Sequence, residues 1–199
     1  MHNSTLNKFW VYSILLAVLL LGTSEAFGQV KKVFTPRYNE TIKGDISVIA
    51  NNMLSADPIL PFNGNADNQD NNNRVYVDID GDPTTFNSSS ATLIDPNPGL
   101  ACKEFVRAYL YWAASDKEAG GVSQNADSWN HNEVKLMLPG SSTYTTVTAD
   151  EVLYRGRNEH FHNDPYICVK DITSDVVGLN DPYGKYQVGN VQATYGGLE

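Results

Sequence analysis

The 199-residue chain has few cysteines, few basic residues and no long apolar run. It contains two cysteines, and its 14 lysines and arginines stand against 23 aspartates and glutamates, which gives a formal net charge of −9. An acidic chain without a basic stripe lacks the charge that binds nucleic acid or an anionic membrane surface. The longest apolar run, residues 9–22, is shorter than the roughly 20 residues of a membrane-spanning helix. We therefore expect no nucleic-acid partner and no membrane insertion of the mature chain.

The sequence also lacks the short motifs that mark common catalytic centres. It has no GxSxG elbow, HExxH helix, P-loop or CxxC pair. Its acidic residues are too scattered to indicate the two positioned carboxylates of a glycosidase. We predict that the chain is not an enzyme, and we keep a secreted hydrolase domain acting on polysaccharide as the alternative.

The N-terminal segment, residues 1–28, has the three parts of a secretory signal peptide. A polar start with Lys8 precedes the apolar run, and the small residues Ala26 and Gly28 then place cleavage between Gly28 and Gln29. A retained membrane anchor is the other interpretation. We expect an exported protein that is secreted or held on the outer cell surface, or that stays periplasmic if no sorting domain follows.

The exported part reads as a polar lead-in, residues 29–44, followed by an all-β domain, residues 45–199. Eight or nine short apolar or alternating segments are separated by turn signals about every ten residues, which favours an antiparallel β-sandwich or jelly roll. Residues 45–51 are the predicted first core strand. Residues 134–138 and 143–148 are predicted to form a hairpin about the Pro139-Gly140 turn, and further strands are predicted at 151–154 and 166–172. The segment 102–114 is apolar on both faces and is predicted as a central strand. We expect the fold to be incomplete at its C-terminus, with an open sheet edge beside the last strand at 186–193.

Both cysteines lie in the exported part. An even number of cysteines in an oxidising compartment predicts one disulfide, between Cys102 and Cys168. Two separate buried thiols are the alternative.

The acidic turn, residues 78–82, is the strongest candidate for a metal site. Asp78, Asp80 and Asp82 surround Gly81, and several carboxylates at a tight turn are what calcium requires. The alternative is a solvated turn at the end of a strand. Four aromatic residues could stack on sugars: Tyr109, Tyr111, Trp112 and Trp129. Trp112 is expected in the core instead, and Trp129, in a polar loop, is the exposed aromatic predicted to contact a ligand.

Six segments together resemble the N-terminal domain of large secreted Bacteroidetes surface proteins, including DUF11-repeat proteins and proteins with a gliding-motility-associated C-terminal domain. The resemblance covers residue 38 to the end, and it implies export, a β-sandwich and a role in adhesion, with a glycan or a cell-surface protein as partner. The segments are RYNETIKGDISVIANN, VDIDGDPTTFNSSSA, RAYLYWAA, VKLMLPG with YTTVTA, YICVKDIT and GKYQVGNVQAT.

Overall fold

A computed structural model describes residues 35–55, 74–100, 102–115, 130–155 and 165–194. The predicted signal peptide, its cleavage point between Gly28 and Gln29, and Trp129 lie outside these ranges. The chain divides into two compact units, Met1–Asn39 and Glu40–Glu199. All of the strands described below belong to the second unit. Within the described ranges, no helix is long and apolar enough to cross a bilayer.

Nine short strands and one helical turn form the described part of the second unit, which confirms an all-β fold. The helical turn, α1, covers Thr173–Val177. The strands in chain order are β1 (Leu54–Ser55), β2 (Val75–Tyr76), β3 (Ser88–Leu93), β4 (Tyr109–Ser115), β5 (Glu133–Met137), β6 (Thr145–Thr148), β7 (Glu151–Arg155), β8 (Pro165–Asp171) and β9 (Gly184–Gly189).

The strands form three antiparallel sheets. The four-stranded sheet has the order β3-β9-β5-β6, the three-stranded sheet has the order β4-β8-β7, and β1 pairs with β2. The hairpin predicted from the Pro139-Gly140 turn is confirmed as β5 and β6, and Gly140 has the positive φ of 78° that glycine adopts at no steric cost.

The two larger sheets pack face to face around one apolar core. In β5, Val134 and Leu136 are buried while Glu133 and Lys135 point to the opposite face, because successive strand side chains alternate. From the three-stranded sheet, Trp112 enters the same core, and its indole Nε1 donates a 2.9 Å hydrogen bond to the carbonyl oxygen of His131. This packing is that of a β-sandwich.

The strand predicted to be central lies at a sheet edge instead. β4 begins at Tyr109, later than the predicted segment, and among the described residues it pairs with β8 alone. The predicted open edge beside the last strand is also wrong, because β9 pairs with β3 on one side and β5 on the other. The sequence pattern shows which residues are apolar, but it does not show which strands become neighbours.

Residues 45–51 form no strand in the structure. Ile46 and Val48, the apolar residues of the predicted alternation, are 86% and 83% exposed. The alternation was present in the sequence, but no partner strand covers it among the described residues.

The predicted disulfide is not formed in the structure. Cys168 lies in β8 opposite Trp112, and its buried thiol donates to the carbonyl oxygen of His131 over 3.3 Å. Cys102 is exposed, on the segment that precedes β4. The prediction placed Cys102 at the start of the central strand, next to the strand that carries Cys168. In the observed pairing of β4 with β8, the residue opposite Cys168 is Trp112.

Candidate functional site

The acidic turn lies against the outer face of the four-stranded sheet, where its carboxylates meet β3 and β9. Ser88, at the start of β3, is fully buried and lies 3.1 Å from Asp78 Oδ1 and 2.9 Å from Asp80 Oδ1. The hydroxyl oxygen of Ser88 also accepts the backbone N–H of Ile79 at 2.9 Å. The hydroxyl of Ser88 is therefore within hydrogen-bond distance of two aspartates that are already close in the sequence.

The second oxygen of Asp80 binds side chains that are distant in sequence. Tyr144 donates its hydroxyl to Asp80 Oδ2 over 2.5 Å, and the amide nitrogen of Gln187 donates to the same oxygen. Gln187 is 1% exposed, whereas Asp80 lies at the surface. Asp80 thus covers a buried amide of β9 and links it to the segment that leads into β6.

The environment of Asp80 favours its ionised form. Burial alone would raise its pKa, but hydrogen bonds from Tyr144, from the backbone of Asp82 and from Ser88, with Asp78 contributing last, together lower the pKa below its usual value. Burial raises the pKa of Tyr144, and its hydrogen bond to the Asp80 carboxylate raises it further. The pair is therefore a carboxylate and a neutral phenol near pH 7.

The structure brings two of the three predicted metal ligands together. Asp82 turns away from the other two, and its Oδ1 accepts both the backbone N–H and the hydroxyl of Thr84, at 2.8 and 2.7 Å. The turn itself depends on Gly81, whose φ is 62°. Within the described ranges, no group of three or more histidine, cysteine, aspartate or glutamate side chains is placed to hold a metal ion.

A buried side-chain amide, that of Asn87, lies beside the acidic turn. The side chain of Asn87 is fully buried, and its amide exchanges two hydrogen bonds with the backbone of Val191, at 2.7 and 3.0 Å. Asn190 has a positive φ of 59°. Its side-chain oxygen accepts the backbone N–H of Phe86, and its amide nitrogen donates to the carbonyl oxygen of Thr84. These bonds hold the segment before β3 against the end of β9.

The two larger sheets differ in their outer faces. The four-stranded sheet presents polar side chains there, such as Glu133, Lys135 and Thr146. The three-stranded sheet presents Tyr109, Tyr111 and Ala113 of β4, because Leu110, Trp112 and Ala114 alternate toward the core. Across the strands, Tyr111 is paired with Val169 and Ala113 with Ile167.

This outer face is exposed in part, since Tyr109 is half-buried and Val169, opposite Tyr111, is 1% exposed. Tyr111 is 51% exposed and Ile167 is 38% exposed. The rings of Tyr109 and Tyr111 lie 6.4 Å apart at an angle of 59°. Trp112, by contrast, is 5% exposed, as its expected place in the core requires.

Comparison with known proteins finds no matching family model, curated protein or solved structure. The resemblance to secreted surface proteins therefore remains a prediction.

Sequence reasoning did not identify Ser88, Tyr144, Gln187 or Asn87 as site residues. Gln187 lies 107 positions from Asp80 in the chain, and Tyr144 lies 64 positions away. Contacts across such separations depend on the strand order, which no local spacing encodes. The only local signal was the serine run at residues 88–90, directly after the acidic turn.

Proposed function

We propose that the chain is an exported, non-enzymatic β-sandwich module of an adhesin-like surface protein, and that it contacts a glycan through the outer face of the three-stranded sheet. The observation that carries this proposal is the pair of tyrosines, Tyr109 and Tyr111, on a sheet face that would ordinarily be polar.

A sugar suits this face better than a purely apolar partner does. Tyrosine offers a flat apolar ring together with a hydroxyl, so it can pack on the C–H side of a pyranose and also hydrogen-bond its edge. The exposed carboxylate of Asp171 lies across from Tyr109. Its pKa is lowered, first by hydrogen bonds from Thr173 and then by the charge of Arg107. It is therefore an ionised acceptor beside the rings near pH 7.

The acidic turn is better suited to support the fold than to perform hydrolysis. Glycosidases place two carboxylates about 5–9.5 Å apart on either side of the bond they cleave. Here Asp78 and Asp80 both lie within hydrogen-bond distance of one buried serine hydroxyl, and both oxygens of Asp80 accept hydrogen bonds from the protein itself. A hydrolase of polysaccharide remains the alternative that the experiment distinguishes.

Binding of the full chain to a panel of immobilised polysaccharides and glycoproteins tests the proposal. We expect binding to at least one glycan and a loss of about five- to tenfold in affinity for Tyr111→Ala, since a stacked ring contributes on the order of 1–1.5 kcal/mol. Tyr111→Phe keeps the ring and should retain most of the affinity. Val177→Ala, at an exposed apolar residue of α1, is the matched surface control.

Two results would overturn the proposal. One is unchanged binding by Tyr111→Ala, and the other is the absence of binding to every glycan in the panel. Release of reducing sugar by the wild type, abolished in Asp80→Asn, would instead establish the hydrolase.

A further inference from the structure

β4 carries a row of unpaired backbone groups along its outer edge. Residues directly opposite each other in an antiparallel pair alternate between hydrogen-bonded and non-bonded pairs. Ile172 donates its backbone N–H to the carbonyl oxygen of Ala108, the residue directly before β4, at 2.9 Å. The backbone N–H and C=O groups of Tyr109, Tyr111 and Ala113 therefore point away from β8. Among the described residues, none of these six groups has a hydrogen-bond partner.

This edge is suited to accept a further strand. At its end, the carbonyl oxygen of Ser115 already accepts the backbone N–H of Thr194 at 3.0 Å. Natural proteins protect sheet edges with charged residues, proline or a bulge. β4 has none of these, because its sequence is YLYWAAS and its pairing with β8 shows no register shift.

The other edge strands of the two larger sheets are less suited to this. β7 has a register shift between Val152 and Tyr154. β6 is only four residues long, and three of them are threonine. In β3, the carbonyl oxygen of Ser90 accepts the side-chain amide of Asn51. β4 is therefore the edge at which an added strand meets the least obstruction.

A second segment of the chain, residues 45–51, has the pattern of a strand and no partner strand; we call it the arm. Ile46 and Val48 alternate along it and are 86% and 83% exposed, and Ala50 is exposed as well. In the ranges that the structure describes, the one hydrogen bond made by the backbone of residues 46–50 joins Ile46 N–H to Asp45 Oδ1 at 2.7 Å. The arm thus exposes both apolar side chains and free backbone groups.

We propose that the arm of one chain adds as a strand to the open edge of β4 in a second copy of the chain, reciprocally, in a twofold dimer. The arm and β4 are each seven residues long. In an antiparallel register with Val48 opposite Trp112, the apolar face of the arm continues the core-facing row of β4. The added strand supplies partners for the unpaired groups of both segments.

A second copy is the occupant because a single chain leaves both segments unpaired. The C-terminal end of the arm is held at the other sheet, where Asn51 is bonded to Ser90 of β3. Each copy carries a net charge of −9, so the two copies repel each other and added salt should strengthen the dimer. Because few side chains become buried, we expect a weak dimer with a Kd of about 1–100 µM.

Sedimentation equilibrium of the full chain over a range of concentrations tests the association. Val48→Asp should raise the Kd about 100-fold, since the dimer loses two buried valines and each contributes roughly tenfold. Val48 is largely exposed in the single chain, so this variant should keep the fold. Ile94→Asp is the matched control, because Ile94 is 76% exposed and lies outside the arm and β4.

Disulfide cross-linking between two differently tagged chains tests which segments meet. Both chains carry Cys102→Ser, one also carries Ser47→Cys, and the other carries Ala113→Cys. In the proposed register these two positions are opposite each other, so mixing the chains under oxidising conditions should give a cross-linked heterodimer. A chain with Ile94→Cys in place of Ser47→Cys is the control and should give none.

The proposal is overturned if the wild type is a monomer up to about 1 mM, or if Val48→Asp dimerises as the wild type does. It is also overturned if the two cysteines link only when placed in the same chain, which would show that the arm closes on its own β4. Val48→Asp should still bind glycan through Tyr111, so this proposal and the proposed function can fail separately.

Discussion

At the scale of single residues, the aspartates contribute to the fold mainly by accepting hydrogen bonds. Asp80 accepts from Tyr144, Gln187, Ser88 and the backbone of Asp82. Asp95 and Asp150 pair with lysines, but both are at the surface, where solvent screens such pairs and their contribution to stability is small. Asp80 is therefore the carboxylate whose protonation should matter most to the fold.

The lowered pKa of Asp80 predicts loss of stability in acid. The unfolded chain, with an aspartate pKa near 3.9, takes up protons before the folded chain does, so stability is present above about pH 4 and declines as the pH falls through the folded value. Urea denaturation from pH 7 to pH 3 should show a constant midpoint down to about pH 4 and a fall below it. In Asp80→Asn the fall should be shallower. A midpoint that rises between pH 5 and pH 3 would contradict the assignment.

At the scale of elements, the sequence predicted which segments are strands for most of the domain. It did not predict which strands lie next to each other in the sheets. The β5–β6 hairpin, β7, β8 and β9 were expected near their observed positions, because β-branched alternation and the Pro139-Gly140 turn are local signals. The edge position of β4 could not be predicted. Its second face carries Tyr109, which is half-buried, and Tyr111, which is exposed. An apolar sequence pattern is the same whether a strand or solvent lies beyond that face.

The acidic turn shows the same limit within a site. The sequence placed Asp78, Asp80 and Asp82 together because they are neighbours in the chain. The structure separates Asp82 by binding it to Thr84, and it adds Gln187 through the pairing of β9 with β3. Local spacing thus identified the turn, while the partners depended on the sheet order.

β9 is packed closely against the segment that precedes β3, and Gly189 makes this possible. A Cβ atom at Gly189 would lie 2.9 Å from Thr85 Cγ2 and 3.0 Å from the carbonyl oxygen of Asn87. We expect Gly189→Ala to lower the free energy of unfolding by about 1–3 kcal/mol, because overpacking forces the neighbours to move. Chemical denaturation measures this. Gly99→Ala, where a Cβ would meet no atom within 4 Å, is the control and should change it little. Equal effects of the two substitutions would argue against the close approach.

At the scale of the whole molecule, two polar connections hold the four-stranded sheet from outside the apolar core. The core itself joins Trp112 and Cys168 of one sheet to Val134 and Leu136 of the other. Asn87 is hydrogen-bonded to the backbone just after β9, and the acidic turn is hydrogen-bonded to Gln187 within β9. The domain therefore depends on polar contacts between segments that are remote in the chain, in addition to the apolar contacts that the sequence pattern indicates.

Our central claim is that the carboxylate of Asp80 stabilises the fold by accepting a hydrogen bond from Gln187 of β9. The most direct test is a double-mutant cycle of Asp80→Asn and Gln187→Met, with unfolding free energies measured by urea denaturation in EDTA. Because Asp80 is exposed, we expect a coupling of about 1 kcal/mol, below the range of buried charged hydrogen bonds. Additive effects, within about 0.3–0.5 kcal/mol, would contradict the claim and show that Asp80 and Gln187 act independently.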